Sequence, residues 1–328
     1  MRNTTTTSAV IPATAQSFKD SLTAQAGATA RARSVTEVVV QQSDGLGNQL
    51  FQYAAGRSLS KRYGGMLRIA CQPAHNLTTH GYRRPVMLQK FAIKASIGPA
   101  TQLDRLVFST RPHFALPSRV VRKVGRIQVI READDPLFLQ HSFSIKAAAR
   151  RVYLHGYWQA HSIVDSVGNE LRQEFSLREP PSELSRRQAD RILSCRSAIS
   201  VHIRRGDYLV LVKHKALPTE YYEQSLSLMG ERFPDSTFFV FSDDAPSARE
   251  WLANRPQFVV VDHNDDTTAH EDLWLMSLCR HHIIANSTFS WWGAWLNARN
   301  DKCVIAPSNW HGVHTAESDI AAPGWQLI

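Results

Sequence analysis

Ten residues near the end of the chain, Asn286 to Trp295, read NSTFSWWGAW and follow the short apolar run 282–285. This order predicts a strand that ends at polar residues, beyond which a helix begins. A helix start gathers unpaired backbone N–H groups and about half a positive charge, so it suits a phosphate. The candidates for contact with such a ligand are Asn286, Ser287, Thr288, Phe289 and Ser290.

A glycine-rich segment, Gly45-Leu46-Gly47-Asn48-Gln49, follows a predicted strand at Glu37–Gln42 and opens a helix. It lacks the third glycine of G-x-G-x-x-G and the lysine of a P-loop, so both standard nucleotide motifs are excluded. Gly47 would let a ligand approach the backbone, and the amides of Asn48 and Gln49 suit sugar hydroxyls. A plain tight turn is the structural alternative.

The segment His202 to Tyr208 reads HIRRGDY and supplies charged side chains to a third strand end. Extended backbone sends His202 and Arg204 to one side and Arg205 to the other. One arginine can then clamp a diphosphate while the other pairs with Asp207, although an ion pair capping the strand would also fit. Three strand ends with anion-binding groups indicate an enzyme acting on a phosphorylated donor.

Two further motifs each have a structural and a functional interpretation. Ser242-Asp243-Asp244 precedes Ala245-Pro246 and is typical of a helix N-cap, but a carboxylate there could also accept hydrogen bonds from a guanine edge. The predicted final helix carries Trp291, Trp292 and Trp295. We expect these rings to pack in the core, with stacking on a sugar as the alternative.

Composition limits the class of protein. The chain has 328 residues, 43% of them hydrophobic and 20% charged, which predicts a globular protein of two domains. The net charge of +9 favours an anionic partner. Four widely separated cysteines and fourteen histidines show no metal-ligand spacing, so we expect no metal site and reduced cysteines in an intracellular protein. No apolar run approaches the ~18 residues of a membrane span.

The order of predicted elements indicates an α/β fold with parallel sheets. Residues 1–34 are predicted to be a disordered tail, and the double proline at 180–181 separates a domain at 35–181 from one at 182–328. Ligands bind such sheets outside the carboxyl ends of the strands, where the motifs above would gather. The predicted strands are 37–42, 152–154, 198–203, 237–241, 258–261, 283–285 and 303–306. The predicted helices are 48–62, 164–175, 182–194, 219–233, 245–254, 271–281 and 288–297.

Three blocks, residues 43–55, 202–208 and 271–295, resemble the signature segments of the α-1,2-fucosyltransferases of glycosyltransferase family 11. The resemblance extends in the same order over residues 38–310. It implies a GT-B-like fold, with two Rossmann-type domains facing across a cleft. It also implies inverting transfer of L-fucose from GDP-β-L-fucose to a galactose 2-hydroxyl, without a required metal or other cofactor.

The resemblance also implies roles for individual residues. More distant α-1,6- and protein O-fucosyltransferases share an arginine two residues after a histidine, which favours Arg204 over Arg205 as the diphosphate ligand. Asp243 or Asp244 is expected near guanine, and Ser287, Thr288 and Phe289 near the phosphates. Trp274 stands where a smaller aromatic residue or Met is expected, a departure that we interpret as structural.

The identity of a general base stays open among Asp44, Asp207, His202 and no base at all. The expected partners are GDP-fucose and a galactose-terminated glycan, as in a bacterial surface polysaccharide, and no nucleic acid. The expected location is the cytoplasm, with peripheral association at the inner membrane face as a variant. The alternatives are a fucosyltransferase of another linkage, a basic nucleotide- or nucleic-acid-binding protein without transferase activity, and an inactive lectin-like relative.

Overall fold

A computed structural model describes residues 35–71, 85–132, 143–204, 216–253, 255–310, 313–314 and 319–328. The tail predicted at 1–34 lies outside these ranges, as do Arg205 and Asp207. The residues described from Val35 to Ile328 form one compact unit that contains two parallel sheets. None of the described helices is long and apolar enough to cross a membrane.

The first sheet has five parallel strands in the order β3-β2-β1-β5-β4. The middle of its central strand β1, Val38 to Val40, is fully buried, as expected where helices cover both faces of a sheet. The strands are β1 (Glu37–Gln42), β2 (Met66–Cys71), β3 (Ser96–Pro99), β4 (Ile127–Arg131) and β5 (Arg151–His155). The helices are α1 (Leu46–Tyr63), α2 (Gln102–Phe108), α3 (Ala115–Val124), α4 (His161–Asp165) and α5 (Gly168–Glu174).

The second sheet has six parallel strands in the order β13-β10-β9-β6-β7-β8. They are β6 (Ser197–Ile203), β7 (Ser236–Ser242), β8 (Phe258–Val261), β9 (His281–Ile283), β10 (Val304–Ala306) and β13 (Gln326–Leu327). An antiparallel pair, β11 (Asn309–Trp310) and β12 (Val313–His314), lies outside this sheet. The helices are α6 (Glu183–Ser194), α7 (Thr219–Arg232), α8 (Ala245–Trp251), α9 (Ala269–Leu278) and α10 (Thr288–Leu296).

The α/β class and the parallel sheets are confirmed, and most elements lie within a few residues of their predicted bounds. The helix predicted at 164–175 is found as two helices, the end of α4 and the whole of α5, because the chain leaves helical geometry at Ser166 and Val167. There the Ser166 hydroxyl bonds to the carbonyl of Ile163 at 2.7 Å, and Val167 has φ of −132°. Such a side-chain bond competes with the helical ladder.

The strands of the first sheet precede Pro181 in the sequence and those of the second sheet follow it, but the two sheets share one continuous hydrophobic core. Trp291 and Trp292 of α10 pack against Phe51 of α1, with ring centroids 4.7 and 4.9 Å apart. Core packing of the tryptophans is confirmed, since Trp291, Trp292 and Trp295 are 0%, 0% and 4% exposed. The division into domains at residue 181 stays a prediction.

The residue that follows the double proline at 180–181 is bonded to helix α9. The Ser182 hydroxyl caps α6 by accepting a bond from the Ser185 amide, and it donates to the Glu271 carboxylate of α9 at 2.6 Å. The Ser182 amide donates to the same carboxylate at 3.1 Å. The linker is therefore anchored at its carboxyl-terminal end.

Candidate active site

A cleft of about 990 Å³ opens between the carboxyl ends of the two sets of strands. The first sheet lines it with the residues after β1, β4 and β5, and the second sheet with those after β6, β7, β8 and β9. The cleft collects nine residues that the sequence predicts for the site. They are Gly47, Asn48, His202, Arg204, Ser242, Asp243, Ser287, Thr288 and Phe289.

Four other predicted ligand residues do not line this cleft: Gln49, Asp244, Asn286 and Ser290. The fully buried amide of Gln49 donates to the carbonyls of Asp44 and Pro85 and accepts from the Met87 amide, so it holds loops together. The Gln49 side chain is therefore engaged by these loops and does not face the cleft.

The other three residues lie in or next to the turns between strands and helices. Asp244 caps α8 by accepting from the Ser247 amide at 3.3 Å, as its N-cap interpretation predicts. The buried Ser290 hydroxyl bonds to the carbonyl of Ser287 at 3.2 Å. Asn286 is also buried. These residues shape the strand-to-helix turns rather than the cleft wall.

The starts of helices α1 and α10 meet in the cleft. A Cβ atom on Gly47 would lie 2.5 Å from the Thr288 hydroxyl and from the Phe289 amide nitrogen, so only glycine permits this approach. Neither helix has a side-chain cap bond or an acidic residue in its first turn. Two sets of unpaired N–H groups and two positive helix ends therefore face the same space.

Arg204, directly after β6, lines the same cleft as these helix starts. Its Nε is 3.2 Å from Asp243 Oδ2, which follows the adjacent strand β7, and the two side chains are 19% and 22% exposed. A carboxylate in this position fixes the direction of the guanidinium while part of it stays open to the cleft.

His202 is the buried partner on the same strand end. It is 4% exposed, its ring lies 5.6 Å from that of Phe289, and its Nδ1 has no hydrogen-bond partner among the residues described. Burial, together with the nearby Arg204 charge, lowers the pKa of His202 to about 3. Its imidazole is therefore neutral at physiological pH and is a weak proton acceptor.

The first sheet contributes an acidic and aromatic wall. Asp44 has a left-handed backbone with φ of 60°, and its carboxylate accepts from the Tyr157 hydroxyl at 2.5 Å. Glu132 accepts from the amides of Tyr157 and Trp158 at 2.7 and 2.9 Å. The sequence did not predict Tyr157 or Glu132, although both follow strands and the strand-end rule applies to them.

Asp272, in the first turn of α9, also lines the cleft. Its carboxylate accepts from the Asn264 amide at 2.7 Å. Burial and the neighbouring Glu271 raise the pKa of Asp272 to about 7, although the bond from Asn264 opposes the shift. Asp272 lies within the block at 271–295, but the sequence indicated only a helix at this position.

Among the residues that the structure describes, no group of three His, Cys, Asp or Glu side chains is arranged to hold a metal ion. All four cysteines are free, two of them buried. Metal independence stays a prediction.

The sequence from 139 to 328 matches the model of glycosyl transferase family 11. An α-1,2-colitosyltransferase of Escherichia coli is 32% identical over 286 residues, which are 83% of this chain and 92% of that protein. The chain belongs to glycosyl transferase family 11. The O-antigen biosynthesis glycosyltransferase WbnK of Escherichia coli is 30% identical over 282 residues, 82% of this chain and 93% of that protein.

A solved structure has the same architecture as this family 11 protein. The crystal structure of NodZ α-1,6-fucosyltransferase soaked with GDP-fucose aligns with a TM-score of 0.51 and 16% identity, covering 80% of this chain and 92% of that one. At this identity the likeness shows the fold alone, and the predicted GT-B-like fold is confirmed. The protein is a glycosyltransferase, and the cleft is its candidate active site.

Proposed function

We propose that this family 11 glycosyltransferase transfers L-fucose from GDP-β-L-fucose to the 2-hydroxyl of a terminal galactoside, with inversion at the anomeric carbon. The observation that carries the proposal is the meeting of two uncapped helix starts in the cleft that Arg204 also lines. This arrangement suits the diphosphate of a nucleotide sugar. The bacterial relatives favour a surface polysaccharide or oligosaccharide as the acceptor.

We infer from the strand order how the donor would lie across the second sheet. Adjacent strand ends lie about 4.8 Å apart, so β9 to β8 spans about 14 Å, enough for an extended nucleoside diphosphate. The diphosphate would lie at Thr288 and Arg204, and the nucleoside would extend over β7 toward Asn264. Because Asp243 is engaged with Arg204, its role is to position the arginine, and Asp272 is the better placed carboxylate for a base edge.

Bond cleavage creates the charge that this site is built to stabilise. The acceptor oxygen attacks the anomeric carbon as the bond to the β-phosphate oxygen breaks, and the electron pair stays on GDP. Arg204 and the N–H groups at the starts of α1 and α10 stabilise the developing negative charge more strongly than the ground state.

Asp44 is our candidate for the general base. It lies on the opposite wall from Arg204, and the Tyr157 hydroxyl holds its carboxylate. His202 is less suited, because its low pKa makes it a weak acceptor of the acceptor hydroxyl's proton. Asp44→Asn should lower kcat with little change in GDP affinity, and Tyr157→Phe should do so to a smaller extent.

The decisive experiment offers the enzyme GDP-L-fucose and a β-galactoside and determines the product linkage by NMR. An α-1,2-linked fucoside supports the proposal, and a different linkage would replace it. A colitosyl nucleotide should be tested in parallel, because the name of the Escherichia coli relative makes colitosyl transfer the competing function. GDP, but not an oligonucleotide, should raise the melting temperature of the protein.

A further inference from the structure

Helix α3 (Ala115–Val124) presents an apolar stripe to solvent. Leu116, Val120 and Val124 follow one another at intervals of four residues and are 71%, 53% and 81% exposed. Side chains four residues apart lie on the same face of a helix. Phe114, which directly precedes the helix, is also exposed. The three aliphatic side chains therefore form one continuous outward face.

The inner face of α3 is more polar than its outer face. Ser118 is 2% exposed, and Arg122 lies half-buried, donating to the Val107 carbonyl at 2.6 Å. Only Val121 adds an apolar side chain to the core on this side. A surface helix of a globular protein normally turns its apolar stripe inward. Here the amphipathic helix has the reverse orientation, which packing within this half of the protein does not explain.

Positive charge surrounds the stripe. The chain carries no acidic residue between Asp104 and Glu132. Arg119 and Lys123 are exposed on the helix, one residue before Val120 and Val124, and neither pairs with an acidic side chain among the residues described. The seven basic residues of this stretch are Arg105, Arg111, Arg119, Arg122, Lys123, Arg126 and Arg131.

We propose that α3, together with Phe114, docks this protein on an anionic lipid bilayer. Leu116, Val120 and Val124 would enter the boundary between headgroups and acyl chains, while Arg119 and Lys123 contact the lipid phosphates. The inference goes beyond the transfer reaction and does not depend on it. A nucleic acid fits less well, because the helix face from Leu116 to Val124 is aliphatic and leaves Phe114, which precedes the helix, as the one exposed phenyl ring in the described part of this surface on which a base could stack.

The position of α3 links this surface to the cleft. Phe108, shortly before α3, packs against His155 at the carboxyl end of β5, with ring centroids 6.2 Å apart. The chain therefore enters α3 from the strand edge that opens into the cleft and leaves it near Ile127, at the other edge. A bilayer bound here lies beside the half of the protein that carries Asp44 and Tyr157.

The test is co-sedimentation of the full-length protein with vesicles of phosphatidylcholine, with or without phosphatidylglycerol. We expect binding only to the anionic vesicles, and weaker binding at high salt. The variant Leu116→Gln/Val120→Gln/Val124→Gln should bind more than tenfold more weakly. The variant Arg119→Gln/Lys123→Gln should bind anionic vesicles about fivefold more weakly for each charge removed. Leu184→Gln/Leu193→Gln, which removes two exposed leucines from α6, is the matched control and should bind normally.

Circular dichroism establishes that each variant is folded, and turnover of a soluble acceptor should be unchanged in all of them. Failure of the wild-type protein to bind anionic vesicles would overturn the proposal, as would equal binding by the glutamine variants. Duplex oligonucleotide binding that depends on Arg119 and Lys123, without vesicle binding, would assign the surface to nucleic acid instead. A dimer in light scattering that the triple variant dissociates would assign it to a second copy of the chain.

Discussion

Gly47 and Thr288 are separated by 241 residues in sequence, yet a single methyl group on Gly47 would lie 2.5 Å from the Thr288 hydroxyl. The contact joins the first turn of α1 to the first turn of α10. The Trp292 indole stabilises this contact by donating to the Gly47 carbonyl at 3.0 Å. The positive ends of two helices are thereby held on one site, one from each side of the cleft.

Gly47→Ala should therefore separate the two helix starts. We expect a loss of about 1–3 kcal/mol in the free energy of unfolding, because the new methyl group meets backbone atoms. Transfer activity should fall further than the stability loss explains. Gly45→Ala is the matched control, since a Cβ there meets no atom within 4 Å. Denaturant unfolding and turnover of both variants test this, and a Gly47→Ala protein with normal activity would contradict the role of the contact.

Arg204→Ala should reduce kcat by roughly 10²–10³ while the protein stays folded, because one donor to the developing charge is lost. Lysine should rescue poorly, since it lacks the planar fork. Arg196→Ala changes an exposed arginine just before the start of the same strand and serves as the control. Near-normal turnover by a folded Arg204→Ala protein would remove Arg204 from the site.

Asp272 should make stability depend on pH. Its folded-state pKa of about 7 lies above the usual value for Asp, so the folded state holds a proton that the unfolded state releases. This contribution to stability is fully present below about pH 4 and is lost as the pH rises to about 7. Relative to wild type, Asp272→Asn should gain stability as the pH rises through this window. A difference that does not change with pH, measured by urea unfolding, would contradict the shift.

His202 should have the opposite effect on the pH dependence of stability. Its pKa is lowered to about 3, so its contribution is present above about pH 6.5 and is lost on acidification. The two opposing groups partly compensate in the wild-type protein. For this reason the comparison with Asp272→Asn is more informative than the wild-type profile alone.

Transfer activity should survive EDTA. We expect Arg204 and the helix starts at Leu46 and Thr288 to supply the positive charge that a divalent ion would otherwise provide. Turnover measured before and after chelation checks this expectation. Complete loss of activity that Mn²⁺ or Mg²⁺ restores would show that the enzyme needs a metal.

The sequence predicted the second sheet well and the first sheet poorly. After Pro181, strands such as Phe258–Val261 are short apolar runs bounded by polar residues, and local pattern suffices to find them. Between residues 66 and 131, the strands β2, β3 and β4 alternate with short helices such as α2, and their pairing depends on distant parts of the chain. Periodicity carries little information in such a region.

The site shows the same contrast between local and distant information. Arg204 could be placed because it directly follows the buried strand β6, and Thr288 because it begins the helix that follows the buried strand β9. Asn48 and Gln49 are adjacent amides that the sequence cannot distinguish, yet helix geometry turns Asn48 to the cleft and buries Gln49. Asp272 was missed because its significance comes from burial beside Asn264, which only the packed structure shows.

Hydrogen exchange with and without GDP tests the central claim most directly, namely that the second sheet and α10 hold the donor nucleotide. We predict that GDP slows exchange most at residues 202–208 and 286–290, with a smaller effect at the start of α1. Asn48→Ala should leave this pattern intact while turnover falls. Protection confined to residues 45–60, with the later segments unaffected, would contradict the account and place the donor on the first sheet.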